Sequence, residues 1–109
     1  MAPLLQSATT PSQGRAIVTV RGDLDSHTAG QFWQYLSYLI GQGHHHLVLD
    51  LGGSIFIDAA GVEVLAKLAA WTSHLGGELV LRSANPALVE QLERSRVAQA
   101  RMHHPSSGG

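Results

Sequence analysis

Three aspartates and a run of histidines are the residues whose types and spacing suggest chemistry. Asp58 stands directly before Ala59-Ala60-Gly61-Val62, at the head of a stretch with helical apolar spacing. A carboxylate there accepts hydrogen bonds from the backbone N–H groups that a helix start leaves unpaired, where partial positive charge also gathers. Asp58 is therefore either a helix cap and nothing more, or a cap that also forms part of a contact surface. Asp23 and Asp25 lie two apart in Gly22-Asp23-Leu24-Asp25-Ser26. Paired carboxylates can divide general acid–base work, but only beside a cleft that holds a substrate group. Loop solvation and helix capping are the simpler uses of this pair.

His44-His45-His46 invites a metal reading, since imidazole is a common ligand. Consecutive residues entering a strand point to alternate sides, so three in a row do not converge on one ion. A polar approach to a strand is the reading adopted, with no metal and no cofactor expected. Gly52-Gly53 lacks the spaced glycines and the lysine of a phosphate-binding loop. The chain has no cysteine, which removes disulfide scaffolds, thiolate metal sites and cysteine nucleophiles together. No nucleophile–base pair stands out, so catalysis and a small-molecule substrate are not expected.

The remaining composition narrows the class further. The 109 residues suit one domain; 44% are apolar and 14% charged, with a formal net charge of -1. Such a balance gives no pull on a phosphate backbone, so nucleic acid is not an expected partner. No apolar run approaches the roughly 18 residues of a membrane span, and Met1-Ala2-Pro3-Leu4-Leu5 lacks the basic start of a secretion signal. A cytoplasmic location without membrane insertion is the expectation.

The apolar period changes several times along the chain, marking the elements that must position these residues. Leu4 to Ala8 suggests a first strand, Pro11-Ser12-Gln13-Gly14 a turn, and Ala16-Ile17-Val18-Thr19-Val20 a strand of β-branched residues. Ser26 or Thr28 is placed to cap a helix in which Ala29, Phe32, Trp33, Leu36, Leu39 and Ile40 face a core, with Gln31, Gln34, Ser37 and Tyr38 outside. Gly41 and Gly43 end it. Leu47-Val48-Leu49-Asp50-Leu51 reads as a central strand covered on both faces. A second helix, Ala59 to Leu75, gathers Val62, Val64, Leu65, Leu68, Ala69, Thr72 and Leu75 inward and Glu63, Lys67, Ala70 and His74 outward, with Trp71 at the margin, packed inward or anchoring a partner. Gly76-Gly77 stops it before the strand Glu78–Arg82, and Asn85-Pro86 opens a third helix. Beyond Val97 the chain reads as a disordered tail. Alternating strands and helices imply parallel pairing with right-handed crossovers.

Four segments in the same order carry a family resemblance. They are Arg21-Gly22-Asp23-Leu24-Asp25, Leu47-Val48-Leu49-Asp50-Leu51, Phe56-Ile57-Asp58-Ala59-Ala60-Gly61-Val62 and Gly76-Gly77-Glu78-Leu79. Together they resemble the STAS domain of bacterial anti-sigma-factor antagonists and sulfate-transporter tails, over about Ala16 to Val97. The resemblance implies an α/β fold, a four- or five-stranded mixed sheet packed with three to four helices. It places a single STAS domain in residues 1–97 and the tail in 98–109.

The resemblance also implies a protein-binding switch without catalysis. In the family, the domain captures a serine-kinase ATPase anti-sigma factor and frees the sigma factor, until phosphorylation of the second serine of a D-S-S-G motif breaks the capture. Here that motif reads Asp58-Ala59-Ala60-Gly61, and the phosphoacceptor position is Ala60. Neither alanine has a hydroxyl to modify. The expected partner surface is Asp58, Ala59, Ala60 and Gly61 with the Asp23/Asp25 loop and the outward Glu63 and Lys67. The alternative is a scaffold or regulatory STAS subunit of a lipid-transport ABC complex or a stress-signalling complex.

Overall fold

The computed structural model describes residues 6–12, 14–53, 56–83, 85–94 and 100–103. Strand β1 (Gln6–Ser12) and strand β2 (Arg15–Arg21) form an antiparallel hairpin, with Gln6 opposite Arg21 and Ser12 opposite Arg15. Helix α1 (Ala29–Gly41) leads to strand β3 (His46–Gly53), and helix α2 (Ala59–His74) to strand β4 (Glu78–Arg82). Helix α3 (Pro86–Arg94) precedes strand β5 (Ala100–His103). The sheet order is β1-β2-β3-β4-β5. Every pair from β2 onward is parallel, because each connection there is a helical crossover and not a tight turn.

One face of the sheet builds the core. Ala16, Val18 and Val20 of β2 align with Leu47, Leu49 and Leu51 of β3 and Leu79 and Leu81 of β4 in one buried cluster. Phe32, Leu36, Leu39 and Ile40 of α1, Leu65, Leu68 and Ala69 of α2, and Leu88 and Leu92 of α3 close over them. These are the positions that the 3.6-residue period selects. On the opposite face β3 is covered at Val48 and only partly at Asp50. Val48 and Val80 are buried outside that cluster, and half-buried Asp50 pairs with Arg82 of β4 at 3.2 Å.

Both long helices end through the same backbone device. Gly43 and Gly76 adopt φ of 101° and 82°, a region that glycine enters without a Cβ penalty. The N–H groups of Gly43 and His44 then donate to Ile40 and Leu39, and those of Gly76 and Gly77 to Ser73 and Thr72. This crossed pair satisfies the last helical carbonyls.

Several expectations need correction. The first strand is Gln6–Ser12 and not Leu4 to Ala8; Leu4 and Leu5 lie outside the described residues. Pro11 and Ser12 belong to the strand and not the turn, which an edge strand tolerates because proline's missing N–H costs nothing on the unpaired side. Within the stretch expected to be tail, Ala100–His103 forms β5 by pairing with Leu79–Arg82, while residues 104–109 lie outside the described residues. Leu75 is 41% exposed, because as the C-cap it leaves the helical path. Ser37 is not an outer residue, its Oγ being buried without a hydrogen-bond partner among the described residues, whereas half-buried Trp33 packs against the core as its spacing implies.

Candidate functional site

The end of the sheet where β2 and β3 deliver the chain to α1 and α2 brings two loops together. Leu24 is fully buried and pairs with Ile57 as a one-residue parallel bridge. Its N–H donates to the Phe56 carbonyl at 2.9 Å, and its carbonyl accepts from Asp58 N at 3.2 Å. A buried leucine between two aspartates thus straps the 23–28 loop onto the segment entering α2.

Asp25, and not the side chain of Ser26 or Thr28, holds the turn that enters α1. Its carboxylate Oδ1 accepts from the N–H groups of His27 at 2.9 Å and Thr28 at 3.2 Å, and its carbonyl accepts from Ala29 N at 2.8 Å. Thr28 occupies the N-cap position without a side-chain cap bond. Its hydroxyl instead donates to the Asp23 carbonyl at 2.7 Å and accepts from Asp25 N at 3.0 Å, which fixes the loop from inside. Asp23 is half-buried, and its Oδ1 is buried with no hydrogen-bond partner among the described residues.

Asp58 caps α2 and does more than cap. Oδ1 accepts from Gly61 N at 3.0 Å, and Oδ2 accepts from Ser26 N in the facing loop at 3.2 Å. The two loops and the helix start therefore share one carboxylate. Gly61 is buried under this strap: a Cβ on it would run into the Leu24 carbonyl and the Leu24 and Ile57 side chains. Ala59 is exposed and Ala60 half-buried, so the head of α2 presents methyl groups beside Asp58.

Asp23, Asp25, Asp58 and Gly61 are thus held together by direct contacts through Leu24 and Ser26. Glu63 and Lys67 stand apart from that network, farther along the stripe that begins at Ala60, and pair with each other at 3.0 Å with both side chains well exposed. Lys67 and Val64 line, with Ala29, Gly30 and Trp33 of α1, a cavity of about 360 Å³. Trp33 and Trp71 meet beside it at 5.6 Å between ring centroids, which answers where Trp71 packs.

Two contributors escape sequence reasoning. Phe56 is 52% exposed although it lies in a motif segment next to fully buried Ile57; the two-residue alternation of extended chain was the available signal. Gln91 of α3 donates to the Ile57 carbonyl at 2.6 Å, tying a third helix to the site, and no local pattern marks that glutamine. The histidine run contributes a backbone contact: the His45 carbonyl accepts from Glu78 N at 3.0 Å.

Comparison with known proteins adds the family context. The family model described as "Mlab, STAS domain" matches residues 8–103. BtrV of Bordetella bronchiseptica, a candidate anti-sigma factor antagonist, is 33% identical over 82 residues, covering 75% of this chain and 71% of BtrV. An anti-sigma factor antagonist from Mycobacterium paratuberculosis shares the fold with a TM-score of 0.80 at 19% identity, over 94% of this chain and 87% of that one. The unphosphorylated Bacillus antagonist SpoIIAA does so with a TM-score of 0.72 at 17% identity, over 94% and 89%.

Proposed function

The chain belongs to the STAS-domain family, and from that membership we propose that it is an anti-sigma-factor antagonist that docks a serine-kinase-type anti-sigma factor and so releases a sigma factor. The observation that carries the proposal is the corner at the head of α2. Asp58 binds both Gly61 N and Ser26 N there, and it fixes a small, well-defined surface around Ala59 and Ala60. A rigid surface of this kind suits docking, because little order has to be imposed when the partner arrives. Likeness in sequence to a candidate antagonist supports the partner class. The chain acts by binding, in the cytoplasm, without catalysis or cofactor and without nucleic acid or membrane insertion.

The docking face comprises Asp58, Ala59, Ala60 and Gly61, the Asp23/Asp25 loop, and Glu63 and Lys67 along α2. With alanine at position 60, phosphorylation at that position does not switch the protein off. The same unmodifiable surface also suits a constitutive STAS subunit of a lipid-transport ABC complex or a stress-signalling scaffold, and this is the second reading.

Ala60→Asp tests the docking face. A negative residue in the first turn of a helix is tolerated or mildly stabilising, so the fold should survive. Docking should weaken by one to a few kcal/mol, roughly tenfold or more, through repulsion at the interface. Thermal unfolding and calorimetric titration with the anti-sigma factor read the two effects separately. A normally folded variant that binds at full strength moves the docking site elsewhere and puts the scaffold reading ahead.

A further inference from the structure

We infer that the cavity between α1 and α2 is a binding site for a small aromatic carboxylate. It holds about 360 Å³ and is lined by Ala29, Gly30 and Trp33 of α1 and by Val64 and Lys67 of α2. That volume lies within the roughly 300–1,000 Å³ of small-molecule pockets. One turn of an α-helix, about 5.4 Å long and 10 Å across, already exceeds it, so a partner's helix does not fit inside. The cavity shares only Lys67 with the docking face proposed above, and its lining is the same whether or not that face captures an anti-sigma factor.

Each wall narrows the chemistry of the ligand. Ala29, Trp33 and Val64 offer apolar surface, and Trp33 and Val64 pack against the buried core. Trp33 also meets Trp71 at 5.6 Å between ring centroids, tilted by 31°, so its indole is held in place before any ligand arrives. A preformed apolar wall that contains an indole suits a flat ring, which packs there at little entropic cost. Gly30 keeps the cavity open: a Cβ there would meet nothing within 4 Å, although glycine is among the poorest helix formers. Lys67 is the charged residue of the lining and calls for an anionic group on the ligand. Its ammonium lies 3.0 Å from Glu63 Oε1, but this i,i+4 pair is well exposed and therefore weakly held. The ammonium has three donors, so a ligand carboxylate takes a second one while Glu63 keeps the first. A neutral ring would forgo the charge, and an inorganic anion would leave the apolar wall unused.

Titration of the full chain with 1-naphthoate, followed through its amide NMR shifts, tests the site. Saturable shifts at millimolar concentration, centred on Gly30, Trp33, Val64 and Lys67, are expected. Neutral 1-naphthamide on wild type, and naphthoate on Lys67→Gln, should each bind about fivefold more weakly, the share of an exposed ion pair. Gly30→Leu fills the cavity and should abolish saturation while unfolding no lower than wild type; if that variant does not fold, the naphthamide and Lys67→Gln arms decide alone. Absence of saturable shifts, or shifts centred on another surface, overturns the inference. Naphthamide binding as tightly as naphthoate, undiminished binding to Lys67→Gln, or undiminished binding to a folded Gly30→Leu overturns it equally. Amides of the cavity that respond to an anti-sigma factor and not to naphthoate would assign it to the docking face instead of a small ligand.

Discussion

The Asp58 carboxylate holds the backbone N–H of Ser26 at 3.2 Å across 32 residues of sequence, while its other oxygen holds Gly61 N at 3.0 Å. A helix cap is ordinarily a local device. Here the same side chain also fastens the loop that starts α1, so the two helix starts form one unit. The Leu24 strap reinforces it through bonds to Phe56 and Asp58.

Asp58→Ala removes an acceptor from two backbone donors at once. Loss of a cap costs about 1 kcal/mol, and the second bond raises the expected total to about 1–3 kcal/mol. For a domain of this size each kcal/mol lowers the melting temperature by about 4–8 °C. Asp58→Asn, which keeps an oxygen on the side chain, should lose less. Thermal unfolding of both variants checks the order; equal melting of Asp58→Ala and wild type would sink it.

Two helical glycines should respond to alanine with opposite signs. Gly30 in α1 has open space where a Cβ would sit, so Gly30→Ala gains the helix propensity difference, about 0.5–1 kcal/mol. Gly61 has the Leu24 carbonyl in that space, so Gly61→Ala should cost more than about 2 kcal/mol or force the strap to open. Urea unfolding gives the signs. Faster amide exchange at Leu24 in Gly61→Ala would identify strap opening as the cause.

Leu65 of α2 is fully buried among the β-strand side chains of the core. Leu65→Ala should destabilise by about 2–5 kcal/mol, the transfer term plus the cavity it leaves. A loss below about 0.5 kcal/mol, typical of a surface site, would contradict the packing of this helix.

Truncation before Ala100 tests the last strand. Leu79 to Arg82 pair in register with Ala100 to His103, and removing that partner leaves β4 as an unpaired edge. The shortened chain should lose about 1–3 kcal/mol, since each ladder bond contributes on the order of 1 kcal/mol. Denaturant unfolding indistinguishable from full length would make residues 100–109 dispensable, as a tail.

The sequence by itself determined the helices, the inner strands and the site's head. Phe32, Leu36, Leu65 and Leu68 announce their faces because a helix repeats every 3.6 residues. Gly43 and Gly76 announce helix ends because their positive φ is a local demand, and Asp58 announces a cap for the same reason. What tertiary structure alone decided is which distant groups those local features meet. Asp25, and not the side chain of Ser26 or Thr28, holds the turn into α1, because the Thr28 hydroxyl is engaged with the Asp23 carbonyl. Ser26 N–H reaches Asp58, and Gly61 is confined by Leu24, only after parallel β2 and β3 bring both loops to one end. Strand β5 exists as a strand because β4 lends it an edge; four residues lack the length to announce themselves by period. Local periodicity and dihedral preference are written along the chain, whereas these contacts depend on the closure of long loops, which no window of neighbouring residues encodes.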